Sequence, residues 1–393
     1  MQYVTAGESH GPKLTTILTG MPAGVKLDEV ALESDLRRRQ AGYGRGGRQK
    51  IETDKAIITS GVRFGKTTGA PISLDIINRD WENWGEKMAV FGSRPCDCSR
   101  EVTPRPGHAD LIGVLKTDQD DCRNILERAS ARETAARVAA GSIAREFLGE
   151  LGVEVCSWVT SIGNVVYDDS AIFNVTSGDL PSDLLGRIEF SATRCPDEEV
   201  TNLMCELIDV AKEEGATLGG SVRVVATGLL PGLGSYANAK DRLTSKLAAS
   251  LYSIPAVKGL EFGAGFDGTR QFGTQIHDEI ALERGEFVRK SNNCGGLEGG
   301  MTNGCPLVLR LAMKPIPTCM SPLSTINLDT LEEAKSSRER SDVCAVPALG
   351  VVAEAEVCLV LANAYCEMFG SNCMSDIKAN IESYKKRLST FAK

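Results

Sequence analysis

Histidine is scarce in this 393-residue chain, which contains only His10, His108 and His277. Imidazole chemistry near neutral pH can therefore come from very few places. Basic charge is not in excess either. With 44 Lys and Arg against 52 Asp and Glu the formal net charge is -8, which argues against general affinity for nucleic acid. Any anion site must be a local basic cluster. The N-terminus lacks a charged-then-apolar signal pattern, and no apolar run reaches the ~20 residues of a membrane span. The longest, within 343–366, is interrupted by Glu354 and Glu356. These absences predict a cytoplasmic protein without a membrane partner. The 13 cysteines are odd in number and scattered, which reads as reduced thiols rather than a disulfide framework. Cys96 and Cys98 form a C-x-C pair without two further ligands at finger-like spacing, so no metal is expected.

Glycine, by contrast, is plentiful, with 40 residues, and part of it recurs in a pattern. "GVRFGKTTGAPI" (61–72) is echoed by "GLEGGMTNGCPL" (296–307), and "LTGMPAGV" (18–25) by "ATGLLPGL" (226–233). A helical pattern follows each member of the second pair. The reading is an internal duplication with units of roughly 1–110 and 221–330, each running strand, Gly-Pro loop, helix, strand, Gly-rich turn, strand. Apolar periodicity predicts a helix over 131–148 and a buried helix over 349–366. Strands are expected at 13–19, 153–166, 221–228 and 306–313. No low-complexity linker divides the chain, so residues 1–393 are expected to form one compact α+β catalytic domain.

Two glycine motifs suggest nucleotide binding but lack its context. "GVRFGKTTG" has three residues between its first glycines where a phosphate loop needs four, and a turn follows where a helix should. "GYGRGG" (42–47) follows a helical pattern rather than a strand, which is wrong for a dinucleotide fold. An ATP-dependent kinase is therefore not supported. The charge around the second motif is more informative. Arg37, Arg38, Arg39, Arg45, Arg48 and Lys50 lie between Asp35 and Glu52 with no acid among them. The run is either a solvated basic face, such as an RNA-binding protein could use, or a loop that wraps an anion through bidentate guanidinium contacts. Ser130 to Glu133 reads as a capping box, with Ser130 as N-cap of the 131–148 helix. Arg132 then places a cation in the first turn, against the helix dipole. His10 and His108 both sit in Gly-flanked loops, "GESHGP" and "RPGHADL", which favours acid–base roles. Arg340 and Asp342 precede the last buried helix.

Together these blocks, with "ERASARETAARVAAGS", "SIPAVKG", "NNCGGLEGGMTNG", "KPIPT" and "RSDVCAVPA", resemble the chorismate synthase family in its compact bacterial form, from residue 7 to beyond 350. The resemblance implies a β-α-β sandwich with helices between antiparallel sheets, a pseudo-twofold repeat and a homotetramer. It implies anti-1,4-elimination of phosphate and a C6 proton from 5-enolpyruvylshikimate 3-phosphate to give chorismate, a step of aromatic amino acid biosynthesis. Reduced FMN is the implied cofactor, with NADPH as reductant of the flavin or a separate flavin reductase as partner. Matching positions make Arg39, Arg45, Arg48, Arg132 and Arg340 the substrate clamp, although Arg39 and Arg45 also match dinucleotide contacts. His10 matches the general acid for the leaving phosphate, and His108 the residue that protonates the flavin. Asp342, with Ser9 and Ser130, matches a proton relay. The flavin positions fall on Arg128, Ala129, Ser130, Pro255, Ala256, Gly299, Lys314, Pro315, Ile316, Pro317, Thr318 and Arg340. Ala129 stands where serine is frequent, Pro255 where asparagine is frequent, and Thr117 where tyrosine is frequent.

Overall fold

The computed structural model describes residues 1–46, 53–173, 180–339 and 341–391. Strands β1 (Gln2–Ala6) and β2 (Lys13–Thr19) form a hairpin; helix α1 (Glu29–Gln40) follows, then β3 (Ala56–Ser60) and β4 (Ile72–Ile77). These strands make one antiparallel sheet in the order β1-β2-β4-β3. Alternation along β2 buries Leu14, Thr16 and Leu18 on one face and leaves the intervening residues outward. Ile72, Leu74 and Ile76 of β4 bury on the same inner face.

Short helices α2 (Asp110–Thr117) and α3 (Arg123–Leu126) lead into α4 (Thr134–Gly149). Strand β5 (Glu154–Ile162) comes next; helix α5 (Glu198–Glu213) intervenes before β6 (Gly220–Thr227). Helix α6 (Leu243–Tyr252), β7 (Val257–Phe262) and β8 (Leu307–Met313) follow. The second sheet, also antiparallel, has the order β7-β8-β6-β5 and a short outer strand, Val165–Val166. The strand expected over 153–166 is thus broken: Gly163, at φ +54, turns the chain back on itself. Order and pairing match the first sheet strand for strand, β5 to β8 standing for β1 to β4. The counterpart of β1 lies before residue 221, separated from β6 by the helices around α5.

One hydrogen-bond device recurs in both halves. Thr67 Oγ1 donates to Pro22 O at 2.5 Å and accepts from Val25 N at 3.0 Å. Thr302 Oγ1 donates to Leu230 O at 2.6 Å and accepts from Leu233 N at 2.9 Å. Each threonine sits in the short hairpin (Val62–Arg63 with Lys66–Thr67; Leu297–Glu298 with Met301–Thr302) and ties it to the loop leaving β2 or β6.

Between the sheets lies a helical layer. Helix α7 (Val346–Phe369) packs on α4 and on β5 and β6, while α4 packs on β2 and β4. The two helices approach closely, because α4 offers Ala135, Ala136, Ala139 and Ala140, all buried, and Gly141. A Cβ on Gly141 would stand 2.3 Å from that of Ala355. Helix α7 is longer than the 349–366 expected and begins with Pro347 in its first turn, where a missing N–H costs no bond. By length and composition it could cross a membrane, but 94% of its most apolar 18-residue stretch is buried inside the fold. Its acids show why it is a core helix. Glu354 accepts from Arg145 at 2.6 Å, Ser157 at 2.6 Å and Arg38 at 2.9 Å. Glu356 accepts from Tyr3 at 2.6 Å and Arg137 at 3.1 Å. The resulting β-α-β sandwich is the expected α+β architecture, and helix α8 (Met374–Phe391) closes the described chain.

Candidate active site

The basic run is split by the geometry of α1. Successive helical residues point about 100° apart, so Arg37, Arg38 and Arg39 face different surroundings. Arg37 is exposed. Arg38 is a structural cation, bonded to Asp35, Glu189 and Glu354. Arg39 turns inward, where Nη2 meets Asp54 Oδ2 at 2.9 Å. The other oxygen of Asp54 is held by Arg132, whose guanidinium also donates to Asn78 Oδ1 at 3.0 Å. Arg132 is thus buried rather than a surface cation in a first turn. Arg45 Nη1 lies 3.1 Å from Asp342 Oδ2, and Gly46 N donates to Asp342 Oδ1 at 2.7 Å. Arg48 and Arg340 lie outside the described residues.

Among the described residues, Arg39, Arg45 and Arg132 meet two acids here, Asp54 and Asp342. Burial pulls the Arg39 guanidinium down to about 10, against the attraction of Asp54 and with added repulsion from Arg132 and Arg45. Burial alone would raise Asp54, but Arg39 and Arg132 outweigh it and hold the carboxyl below its usual range. Among the described residues, Arg39 Nε and Arg45 Nε are buried without a hydrogen-bond partner. Unsatisfied buried donors on cations are costly, and an anion with several oxygens would satisfy them.

The loop between β1 and β2 carries Ser9 and His10. It turns at Gly7, φ +110, where a Cβ would stand 2.4 Å from Lys13 O, so a side chain is excluded. His10 Nδ1 lies 2.9 Å from Glu127 Oε1, and His10 N donates to Glu127 Oε2 at 2.8 Å. The imidazole stacks on Trp84 at 3.9 Å between centroids. Glu127 is buried and also accepts from Arg123 at 2.9 Å. Burial would raise its carboxyl, yet the bonds from His10 and Arg123 keep it below the ordinary range. Ser130 Oγ donates to Ser9 Oγ at 3.2 Å and accepts from Arg132 N at 3.3 Å. Ser130 is therefore the N-cap, of a 3₁₀ turn (Ala131–Glu133) that leads into α4. The reciprocal half of the capping box is replaced: the Glu133 side chain accepts from Thr5 and Arg137.

The second histidine loop is built the same way. His108 Nδ1 lies 2.5 Å from Asp110 Oδ1, and Arg105 Nε donates to Asp110 Oδ2 at 2.8 Å. Burial would raise Asp110, but His108 and Arg105 hold it far below the usual carboxylate value. Arg105 Nη1 donates to Thr318 Oγ1 at 2.9 Å, and Lys314 Nζ to Gly107 O at 2.5 Å. The segment 314–318 is thereby fastened to the His108 loop. Lys314 N donates to Ala256 O at 3.0 Å, which brings in Pro255 and Ala256, the latter at φ +70. Thr217 Oγ1 fixes Ile316 O at 2.6 Å. Burial and neighbouring Lys258 lower the Lys314 ammonium. Arg128 lies near the His10 loop, donating to Thr5 O at 2.9 Å and Gly7 O at 3.3 Å, and Ala129 is tied to α3 through its backbone N–H on Ile125 O. Gly299 turns the hairpin Leu297–Thr302, whose bonds run to Leu233 and Leu243 rather than to either histidine loop.

The family model for chorismate synthase matches residues 1–366. The chain belongs to the chorismate synthase family. A chorismate synthase of Syntrophotalea carbinolica is 50% identical over 391 residues, covering 100% of this chain and 99% of its own. The chorismate synthase of Aquifex aeolicus is 48% identical over 395 residues, covering 100% of this chain and 99% of its own. A crystal structure of a chorismate synthase superposes with a TM-score of 0.80 at 40% identity, covering 99% of this chain and 98% of that one. The protein is accordingly an enzyme, a lyase of the shikimate pathway.

Against this chorismate synthase frame, sequence reasoning misses the carboxylates that serve the cations and histidines. These are Asp54, Asp110 and Glu127, the last two inside the motifs of His108 and Ser130, and the amide of Asn78 serves Arg132 beside them. The available signal was an acid close to each basic or histidine motif. Only the fold shows that Asp54 takes two arginines and that Glu127 reaches back to the first loop.

Proposed function

We propose that this chain eliminates phosphate and the C6 proton from 5-enolpyruvylshikimate 3-phosphate to form chorismate, with reduced FMN bound and no net redox change. The observation that carries this reading is the pair of buried, unsatisfied Nε atoms on Arg39 and Arg45, in a cluster whose Arg132 is tied through Asn78 to the loop of the carboxylate-held His10. A substrate with one phosphate and two carboxylates needs several cations to leave water. Arg39, Arg45 and Arg132, with Arg48 and Arg340, take those anions in preference to a dinucleotide. His10 gives a proton to the departing phosphate. His108, backed by Asp110, holds a proton toward the flavin. Ser9, Ser130 and Asp342 take the C6 proton away.

The donor set fits a flavin mononucleotide. Arg128 and Lys314 offer cations for its phosphate, while Ala129, Ser130, Pro255, Ala256, Pro315, Ile316, Pro317 and Thr318 offer backbone groups and short side chains; Gly299 and Arg340 are proposed flavin contacts from the family pattern alone. Alanine at 129 and proline at 255 restrict those positions to backbone contact. When bound, reduced FMN supplies electron density to the allylic system and recovers it. The reading includes a cytoplasmic homotetramer, electrons from NADPH or a separate reductase, and a single catalytic domain that arose by duplication. The shared threonine device supports the duplication.

The test counts chorismate per electron pair. FMN reduced once, with oxygen excluded, is expected to support many turnovers, and oxidised FMN none. One chorismate per pair would mean a true reductase and would overturn the reading.

A further inference from the structure

We infer that Glu127 is the positioning residue of the His10 acid: it fixes which imidazole nitrogen carries the exchangeable proton. The inference rests on the proposed role of His10 and deepens it. Glu127 reaches His10 twice, through the ring at Nδ1 and through the backbone N–H, at 2.9 and 2.8 Å. A carboxylate that holds both the amide and the ring of one residue fixes its loop and its rotamer together. The ring is closed from one face by Trp84, stacked at 3.9 Å with 26° between planes. Arg123 completes the frame, bonding Glu127 and lying 5.2 Å from the Trp84 ring. Its other terminal nitrogen is held by Glu339 at 2.7 Å.

The chemistry follows from the acceptor. An ionised carboxylate only accepts, so Nδ1 must carry a hydrogen facing Glu127 in both protonation states of the ring. The proton that leaves is then the one on Nε2, across the ring. As the carbon–oxygen bond to phosphate breaks, its electron pair goes to the phosphate oxygen. That oxygen takes the Nε2 proton, and a neutral imidazole remains with hydrogen on Nδ1. Without the carboxylate, the neutral ring can place its hydrogen on either nitrogen, and the ring can rotate. An acid–base partner that fixes a tautomer this way affects turnover rather than binding.

The experiment is a double-mutant cycle in the full-length enzyme with reduced FMN. Glu127→Gln keeps the shape and an acceptor oxygen but loses the charge. It should lower kcat by roughly 10–10²-fold, in the range of other lost orienting partners, and leave KM within about twofold if it removes a contact felt only during reaction. His10→Ala should lose more, and adding Glu127→Gln to it should cost nothing further, because both act through one proton. Histidine-selective ¹⁵N spectra should show His10 with its hydrogen on Nδ1 in the parent and a mixture of tautomers in Glu127→Gln. If His10→Ala keeps its kcat, the acid assignment itself is wrong. If His10→Ala loses kcat but Glu127→Gln multiplies that loss, or leaves the tautomer unchanged, Glu127 is only a structural anchor and the inference falls.

Discussion

Arg39 and Arg132 bind opposite oxygens of one carboxylate, that of Asp54. Each arginine comes from a different helical segment, and both are buried. One carboxylate sits between two guanidiniums, and Arg45 is matched separately by Asp342. The protein tolerates this arrangement because Asp54 prevents direct repulsion between the two cations.

Asp54→Asn should therefore be strongly destabilising. Removing one partner of a buried ion pair costs about 3–5 kcal/mol, here with two cations left facing each other. Urea unfolding of the variant measures it. A change below about 1 kcal/mol would mean that water or backbone replaces the carboxylate.

Acid should unfold the enzyme through its depressed carboxylates. Burial alone would raise Glu354, but Arg38, Arg145 and Arg194 hold it at about 2. A carboxylate depressed in the folded state contributes stability above its unfolded value, about 4.3 for Glu, and loses it as pH falls through the folded one. Asp54 and Asp110 are depressed in the same sense. Stability should fall steadily from about pH 4.3 towards about pH 2. Denaturation midpoints unchanged across that window would contradict the assignment.

His10→Ala and His108→Ala should each lower kcat by roughly 10²–10⁴-fold, the usual contribution of an acid–base group, with FMN still bound. His277 is the C-cap of the short helix Gly273–Ile276, outside both histidine motifs in sequence, and its replacement should cost far less. Equal losses at all three positions in steady-state kinetics would dismiss the roles assigned to the first two.

Arg45→Ala should weaken substrate more than flavin. A lost charge-assisted contact costs roughly 1.5–3 kcal/mol, about a ten- to hundredfold rise in the substrate's dissociation constant. The same direction is expected for Arg48→Ala. Calorimetry with each ligand separates the two affinities; an unchanged substrate constant would remove Arg45 from the clamp and leave it only a partner of Asp342.

The two halves should respond alike to loss of their shared device. Thr67→Val and Thr302→Val each leave a buried N–H and a carbonyl, buried at Pro22 and partly buried at Leu230, short of a partner, at about 1–3 kcal/mol. Thermal unfolding of both variants tests whether the costs match. A silent change at one site would show that only one hairpin depends on its threonine.

Much of the scaffold was legible in the sequence because its signals are local. Apolar alternation placed 13–19 and 306–313 within a residue of β2 and β8, and Ser130 marked the start of the α4 segment. The Gly, Thr and Pro echoes marked hairpins that the fold uses twice, since turn chemistry is set by a few neighbouring residues. The strand expected over 153–166 broke at Gly163 because one permissive residue reverses a chain whose apolar pattern continues. What only the tertiary structure decided is which charge meets which. Arg38 and Arg39 are adjacent in sequence, yet one serves Glu354 in the core and the other Asp54 in the site, because a helix turns them apart. Glu127 reaches His10 only because α3 carries it beneath the β1–β2 loop. Ion pairs and proton paths depend on distances of a few ångströms between segments far apart in the chain, and periodicity holds no record of them.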